Sequence, residues 1–279
     1  MRSATLSSLS QLLLLLIASS PKCVAADGTV WATPHDSYSS SVGVLGCKIN
    51  TDRVAYWPGS VDCNNLCISL TYDDGTSERK RTVKLLRIDQ SQGAYDVSYD
   101  AWNYLYTGKS AKKAPVAGGP LAMTYKELPA DDCKELLKTK NKKLPLSASN
   151  SMNFLASCLD QPNSWVAKNF GLYNALDSVC AWGYDEECEL DWPAANQPTC
   201  KHSLGMPVEL KNAPVYNVQY PTGEVVVAST GEKVSSPGDS TSLAAPSPTQ
   251  NGAPSRGMLT LLMAGSLVWT CLMIGSCQR

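Results

Sequence analysis

The stretch Arg81 to Gly108, R-T-V-K-L-L-R-I-D-Q-S-Q-G-A-Y-D-V-S-Y-D-A-W-N-Y-L-Y-T-G, joins a strand, two spaced carboxylates and a capped helix. Val83, Leu85 and Arg87 alternate with Lys84, Leu86 and Ile88, a largely apolar run read as a strand, and the run ends at Asp89. A polar turn, Q-S-Q-G, follows. Tyr95, Val97 and Tyr99 then alternate again, which puts Asp96 and Ser98 on the other side of a short second strand. Ser98 is a natural N-cap, Asp100 suits the positive end of a helix dipole, and Ala101, Trp102 and Leu105 share one face. With Gly108 as a stop, the spacing predicts a helix over 99–107.

Working outward, Cys63-x-x-x-Cys67 precedes another alternating run, Ile68, Leu70 and Tyr72, and a turn at Asp73-Asp74-Gly75. This whole order resembles the core of the double-psi β-barrel proteins: expansins, barwin-like proteins, rare-lipoprotein-A-like proteins and a class of endoglucanases. In that family a strand ending in Asp leads through a turn to a pattern like H-F-D-L-S-x-x-A-F. Here the pattern reads Ala94-Tyr95-Asp96-Val97-Ser98-Tyr99-Asp100-Ala101-Trp102, lacking the His. The fold it implies is mainly β with α: a six-stranded double-psi β-barrel carrying a helical, cysteine-rich extension.

Both ends of the chain point to the cell surface. Leu12 to Ile17 and the small-residue exit Val24-Ala25-Ala26 make residues 1–26 a secretory signal peptide, with cleavage before Asp27. Residues 257–279 form an apolar C-terminal tail with a single terminal Arg, which fits a glycosylphosphatidylinositol signal better than a retained span. Asn251 is the expected lipid attachment site, with Ser240 and Gly238 as alternatives. Residues 229–256, rich in Ser, Thr, Pro, Gly and Ala, read as an extended stalk, because such a segment buries too little apolar surface to offset its chain entropy.

Removing both end segments takes Cys23, Cys271 and Cys277 from the set of 11 cysteines. Cys47, Cys63, Cys67, Cys133, Cys158, Cys180, Cys188 and Cys200 remain, an even set that reads as a disulfide framework. Three of them precede residue 130, so an odd number of bridges must tie the two halves together if all pair within the chain. The connectivity stays open. No C-x-x-C pair occurs and the mature chain holds only His35 and His202, so neither a metal site nor a cofactor is expected.

Between the ends, residues 27–45 read as a loose arm, 46–130 as the barrel and 131–228 as the extension. In the latter, Asp131 or Asp132 opens one helix, Ser147 or Ser149 a second with Met152, Leu155, Ala156 and Leu159, and Ser164 a third with Trp165, Val166, Phe170, Tyr173 and Leu176 on its face. Residues 206–228 suggest a hairpin around Pro221-Thr222-Gly223. The formal charge of −1 shows no excess that would favour nucleic acid. Basic clusters at Arg79-Lys80-Arg81 and along Lys134, Lys138, Lys140, Lys142 and Lys143 read first as solvated surface, and more pointedly as contacts with acidic wall polymers.

The resemblance implies that Asp89 and Asp96 line a polysaccharide groove, with Tyr95, and with Tyr56 and Trp57 as a stacking platform; Tyr104 and Tyr106 are further candidates, and Trp102 is expected in the core. Together with the C-terminal tail, it implies a fungal, GPI-anchored protein of the cell surface or wall that binds or remodels β-glucan, chitin or cellulose without hydrolysis. Two other activities are compatible with the fold: a glycosidase or lytic transglycosylase using Asp96 as general acid with Asp89, or a barwin-like module that binds or inhibits a protein. No nucleophile motif of the G-x-S-x-G kind is present, so hydrolase-triad chemistry is not expected.

Overall fold

The computed structural model describes residues 27–76 and 80–234. The expected signal peptide, Arg79, the attachment candidates Gly238, Ser240 and Asn251, and the apolar tail lie outside them. Six strands, β1 (Asp27–His35), β2 (Val54–Pro58), β3 (Cys67–Tyr72), β4 (Arg81–Ser91), β5 (Tyr95–Ser98) and β6 (Leu121–Leu128), close into a mixed barrel in the order β1-β5-β2-β4-β3-β6. β1 runs parallel to β5 and β2 parallel to β4, while the other neighbours are antiparallel.

One expectation is overturned at once. Residues 27–35 are not part of a loose arm: β1 is a barrel strand whose Val30 and Ala32 point inward and whose Thr29 and Trp31 point out. The alternation is present in the sequence, but its closeness to the expected cleavage point and the Ser-rich run behind it masked a strand whose partners lie far along the chain. The barrel therefore spans 27–128 rather than 46–130.

Val30, Ala55, Trp57, Ile68, Leu70, Val83, Leu85, Val97 and Met123 fill the barrel interior. The helix α1 (Tyr99–Thr107) closes one end, burying Ala101, Trp102 and Leu105, and the Trp102 indole N–H donates to the Ala32 carbonyl at 3.2 Å. Gly108 takes the left-handed conformation (φ 79°) and its N–H returns to the Tyr104 carbonyl, as a helix stop requires. Gly118 passes so close to this helix that a Cβ there would lie 2.3 Å from Trp102.

The extension contains less helix than expected. A 3-10 turn covers Ala130–Leu136, α2 spans Met152–Leu159 and α3 only Trp165–Lys168, whereas β7 (Leu144–Ser147), β8 (Phe170–Ala175) and β9 (Gly183–Cys188) form a three-stranded sheet. Ser164 caps α3 by accepting from the Ala167 N–H, as anticipated. The helix nevertheless ends at Asn169, and Phe170 and Tyr173 belong to β8. Apolar residues at that spacing suit either period, and pairing with β7 and β9 decided for the strand. Residues 216–227 form the expected hairpin, β10 (Tyr216–Val218) against β11 (Val225–Val227). The start of the expected stalk folds back on this hairpin, with the Val234 N–H on the Val225 carbonyl and Lys233 paired to Glu224 at 2.7 Å.

A second core lies between the outer face of β2 and β4 and the extension, built from Tyr38, Leu45, Ile49, Val54, Leu86, Ile88, Leu137, Leu146 and Leu155. Cys47–Cys180, Cys63–Cys158 and Cys67–Cys133 bridge the two halves of the chain and Cys188–Cys200 staples the extension internally. Three linking bridges satisfy the odd-number requirement.

Candidate functional site

The two aspartates are placed by one irregularity. β2 and β4 run in register from Val54 opposite Leu86 and Ala55 opposite Arg87, then slip, so that Tyr56 stands opposite Asp89 rather than Ile88. On its other side Tyr56 pairs with Asp96 of β5, and Asp96 in turn pairs with Thr33 of β1. Thr33, Asp96, Tyr56 and Asp89 thus form one row across four strands.

The two carboxylates in this row do different things. Asp89 is 7% exposed, and both its oxygens are engaged: Oδ1 accepts from the N–H groups of Ser41 and Gln90, each at 2.8 Å, and Oδ2 accepts from the Ser39 hydroxyl. Ser40 adds a hydrogen bond to the Ile88 carbonyl. Asp89 therefore fastens the 39–41 segment to the barrel. Asp96 is half-buried; the Thr33 hydroxyl donates to its Oδ1, and its Oδ2 has no partner among the described residues.

The expected stacking platform is not at the surface. Tyr56 is 4% exposed beneath the His35 ring, whose centroid lies 4.5 Å away, and burial followed by the nearby Asp89 charge pushes its phenol far up. Trp57, also 4% exposed, points into the barrel, edge-on to Tyr95 and Tyr125, and its Nε1 has no hydrogen-bond partner among the described residues. The alternation of β2 sends Trp57 inward, and the segment after β1 roofs Tyr56. Tyr95 is half-buried against the same interior.

The open groove expected around Asp89 and Asp96 is covered on its Asp89 side by the protein's own chain. Tyr38 donates its N–H to the Asn217 side chain at 2.9 Å and its hydroxyl to the Val44 carbonyl at 2.7 Å, seating the 36–45 segment against β10. What remains there is a niche of about 20 Å³ lined by His35, Tyr56, Ser98, Asp100 and Asn217, room for about one water molecule. Neither aspartate of the pair lines it. Ser98 precedes α1 without capping it; its hydroxyl accepts from the Val54 N–H and donates toward the Thr51 carbonyl, locking β5 to the turn before β2.

The exposed feature next to this row is Trp31, which sequence reading did not single out for function. It is 64% exposed, and it shares the outward face of β1 with Thr33, two residues along the strand. Its cross-strand neighbour is Ala122, too small to cover the indole. Beside it, Thr29, Thr124, Thr71 and Thr82 align in a second row across β1, β6, β3 and β4, with Thr71 and Thr82 hydrogen-bonded at 2.7 Å. The signal was available in G-T-V-W-A-T, where Thr29, Trp31 and Thr33 occupy alternate positions.

No group of three or more His, Cys, Asp or Glu side chains is placed to hold a metal ion among the described residues, and no described helix is long and apolar enough to cross a membrane. No protein-family model, curated protein or solved structure matches the chain.

Proposed function

We propose that this is a cell-surface protein that binds wall polysaccharide without hydrolysing it, and that the contact is made by the outer face of β1. The carrying observation is the exposed Trp31 one strand repeat from Thr33, whose hydroxyl orients Asp96. An indole face packs on the CH groups of a pyranose while an adjacent carboxylate accepts from its hydroxyls. The free Oδ2 of Asp96 is the acceptor. Hydrolysis by a carboxylate pair is less well supported: such chemistry needs two available groups flanking one bond, whereas Asp89 is enclosed by Ser39, Ser41 and Gln90 and separated from Asp96 by Tyr56.

The finer assignments belong to the same proposal. A closed six-stranded mixed barrel, with the Asp-turn-Asp-x-Ser-helix order on β4, β5 and α1, supports the double-psi type. Four disulfides support an oxidising compartment, in keeping with a secreted, GPI-anchored protein on the outer face of a fungal plasma membrane or wall. Sedimentation of the full chain with insoluble chitin, β-glucan and cellulose tests the reading. Depletion by one polymer, abolished in Trp31→Ala, is the expected result; a folded protein that binds none of them overturns it in favour of a protein partner.

A further inference from the structure

A cleft of about 240 Å³ opens on the extension, on the edge of the three-stranded sheet, lined by Asn141, Lys143, Lys168, Phe170, Glu187 and backbone around Gly171. Lys143 enters it just before β7, Lys168 and Phe170 from the junction of α3 and β8, and Glu187 from β9. The lysines around this cleft have no ion-pairing partner among the described residues. Among the described residues Lys138, Lys140 and Lys143 have no side-chain hydrogen bond or ion pair. Lys142 donates only to the Leu137 carbonyl, and Lys168 only to the Asn163 amide oxygen. By contrast, Lys48, Lys84, Lys112 and Lys134 each sit within ion-pairing distance of a carboxylate.

We propose that this cleft binds an acidic sugar unit, a uronate residue of a glycan. Two ammonium groups outside any ion pair, against the one carboxylate of Glu187, leave this small opening net positive, and complementary charge is what such a patch recognises. The remaining lining says what else the ligand carries. Glu187 already accepts from the Tyr173 hydroxyl at 2.9 Å and has a second oxygen to accept from vicinal sugar hydroxyls. Asn141 uses its oxygen on the Lys143 N–H, leaving its amide N–H groups free to donate. Phe170 offers a half-exposed ring face to the CH side of a pyranose. A phosphate ion would bring more negative charge against the Glu187 carboxylate than a single uronate does and would leave the ring unused. The volume lies below that of pockets for drug-sized ligands, so one saccharide unit enters. This site is separate from the β1 face and does not depend on the reading given to that face.

Calorimetric titration of the full chain with trigalacturonic acid, its methyl ester and inorganic phosphate tests the assignment. The acid is expected to bind, with affinity lowered about tenfold or more in the ester and in the Lys143→Ala/Lys168→Ala double variant, because both remove charge-assisted hydrogen bonds. Both lysines are exposed, so the variant retains the fold, and unfolding curves verify that. Absence of binding, equal binding of the ester, unchanged affinity in the double variant, or phosphate binding as tightly as the sugar acid would each overturn the proposal.

Discussion

Asp89 and Asp96 are register partners of the same residue: Tyr56 stands between them, opposite Asp89 on β4 and opposite Asp96 on β5. Because the slip between Ala55 and Tyr56 is what brings Asp89 into that row, the two carboxylates share a face but not an environment. One is enclosed by the 39–41 segment and the other looks toward Thr33 and the open side of β1. Their roles separate accordingly.

Replacing Asp89 with Ala leaves the Ser41 N–H and the Ser39 hydroxyl without their acceptor. A hydrogen bond to a charged acceptor contributes about 1.5–3 kcal/mol, so Asp89→Ala should lower the free energy of unfolding by an amount of that order in a urea titration. Polysaccharide depletion, measured on the folded fraction, should be unchanged.

Trp31→Ala and Asp96→Asn should behave in the opposite way. Trp31 is largely exposed, and surface substitutions usually change stability by no more than about 0.5 kcal/mol. Both variants should unfold like the parent and lose polymer binding in the sedimentation assay. Parent-like binding by both would remove the β1 face from consideration.

The bridges should differ in weight. Cys63 and Cys158 are 95 residues apart and Cys188 and Cys200 only 12. In the loop-entropy model these separations correspond to about 5 and about 3 kcal/mol respectively. Paired Cys→Ala replacements, compared by calorimetric unfolding, should therefore show the greater loss for the Cys63–Cys158 pair.

Acid should loosen the disulfide loop at 188–200 through Glu186. Partial burial (15% side-chain exposure) would raise its pKa. The Asn174 amide, the His202 N–H and the His202 imidazole outweigh that and hold it at about 2, down from 4.5. A depressed folded-state pKa means stabilisation that is complete above pH 4.5 and is lost as pH falls toward 2. The His202 ring, stacked on Tyr184 at 4.0 Å, is held at one end of this contact. Unfolding curves across that window should show the parent losing stability steeply, and Glu186→Gln should flatten the slope.

Much of this was legible in the chain. The alternation of residues 83–88, the Gly stop at 108 and the apolar face of Ala101, Trp102 and Leu105 specify β4 and α1 by local period and backbone preference alone, and the eight cysteines required an odd number of links between the halves. Those features depend on residues near one another in sequence. β1 was missed, and residues 170–175 were assigned to a helix, because each pairs with strands that spacing cannot identify: β1 with β5 and β6, β8 with β7 and β9.

The candidate site divides along the same line. The resemblance carried by residues 81–108 selected Asp89 and Asp96, since a strand-ending carboxylate and an Asp-x-Ser before a helix are local patterns. Only the tertiary structure decided which carboxylate stays accessible, that Trp57 and Tyr56 are buried while Trp31 is exposed, and that the 36–45 segment covers the Asp89 side of the expected groove. Exposure is set by what packs on a residue from elsewhere in the chain: Tyr38 and Asn217, 179 residues apart, meet over that row.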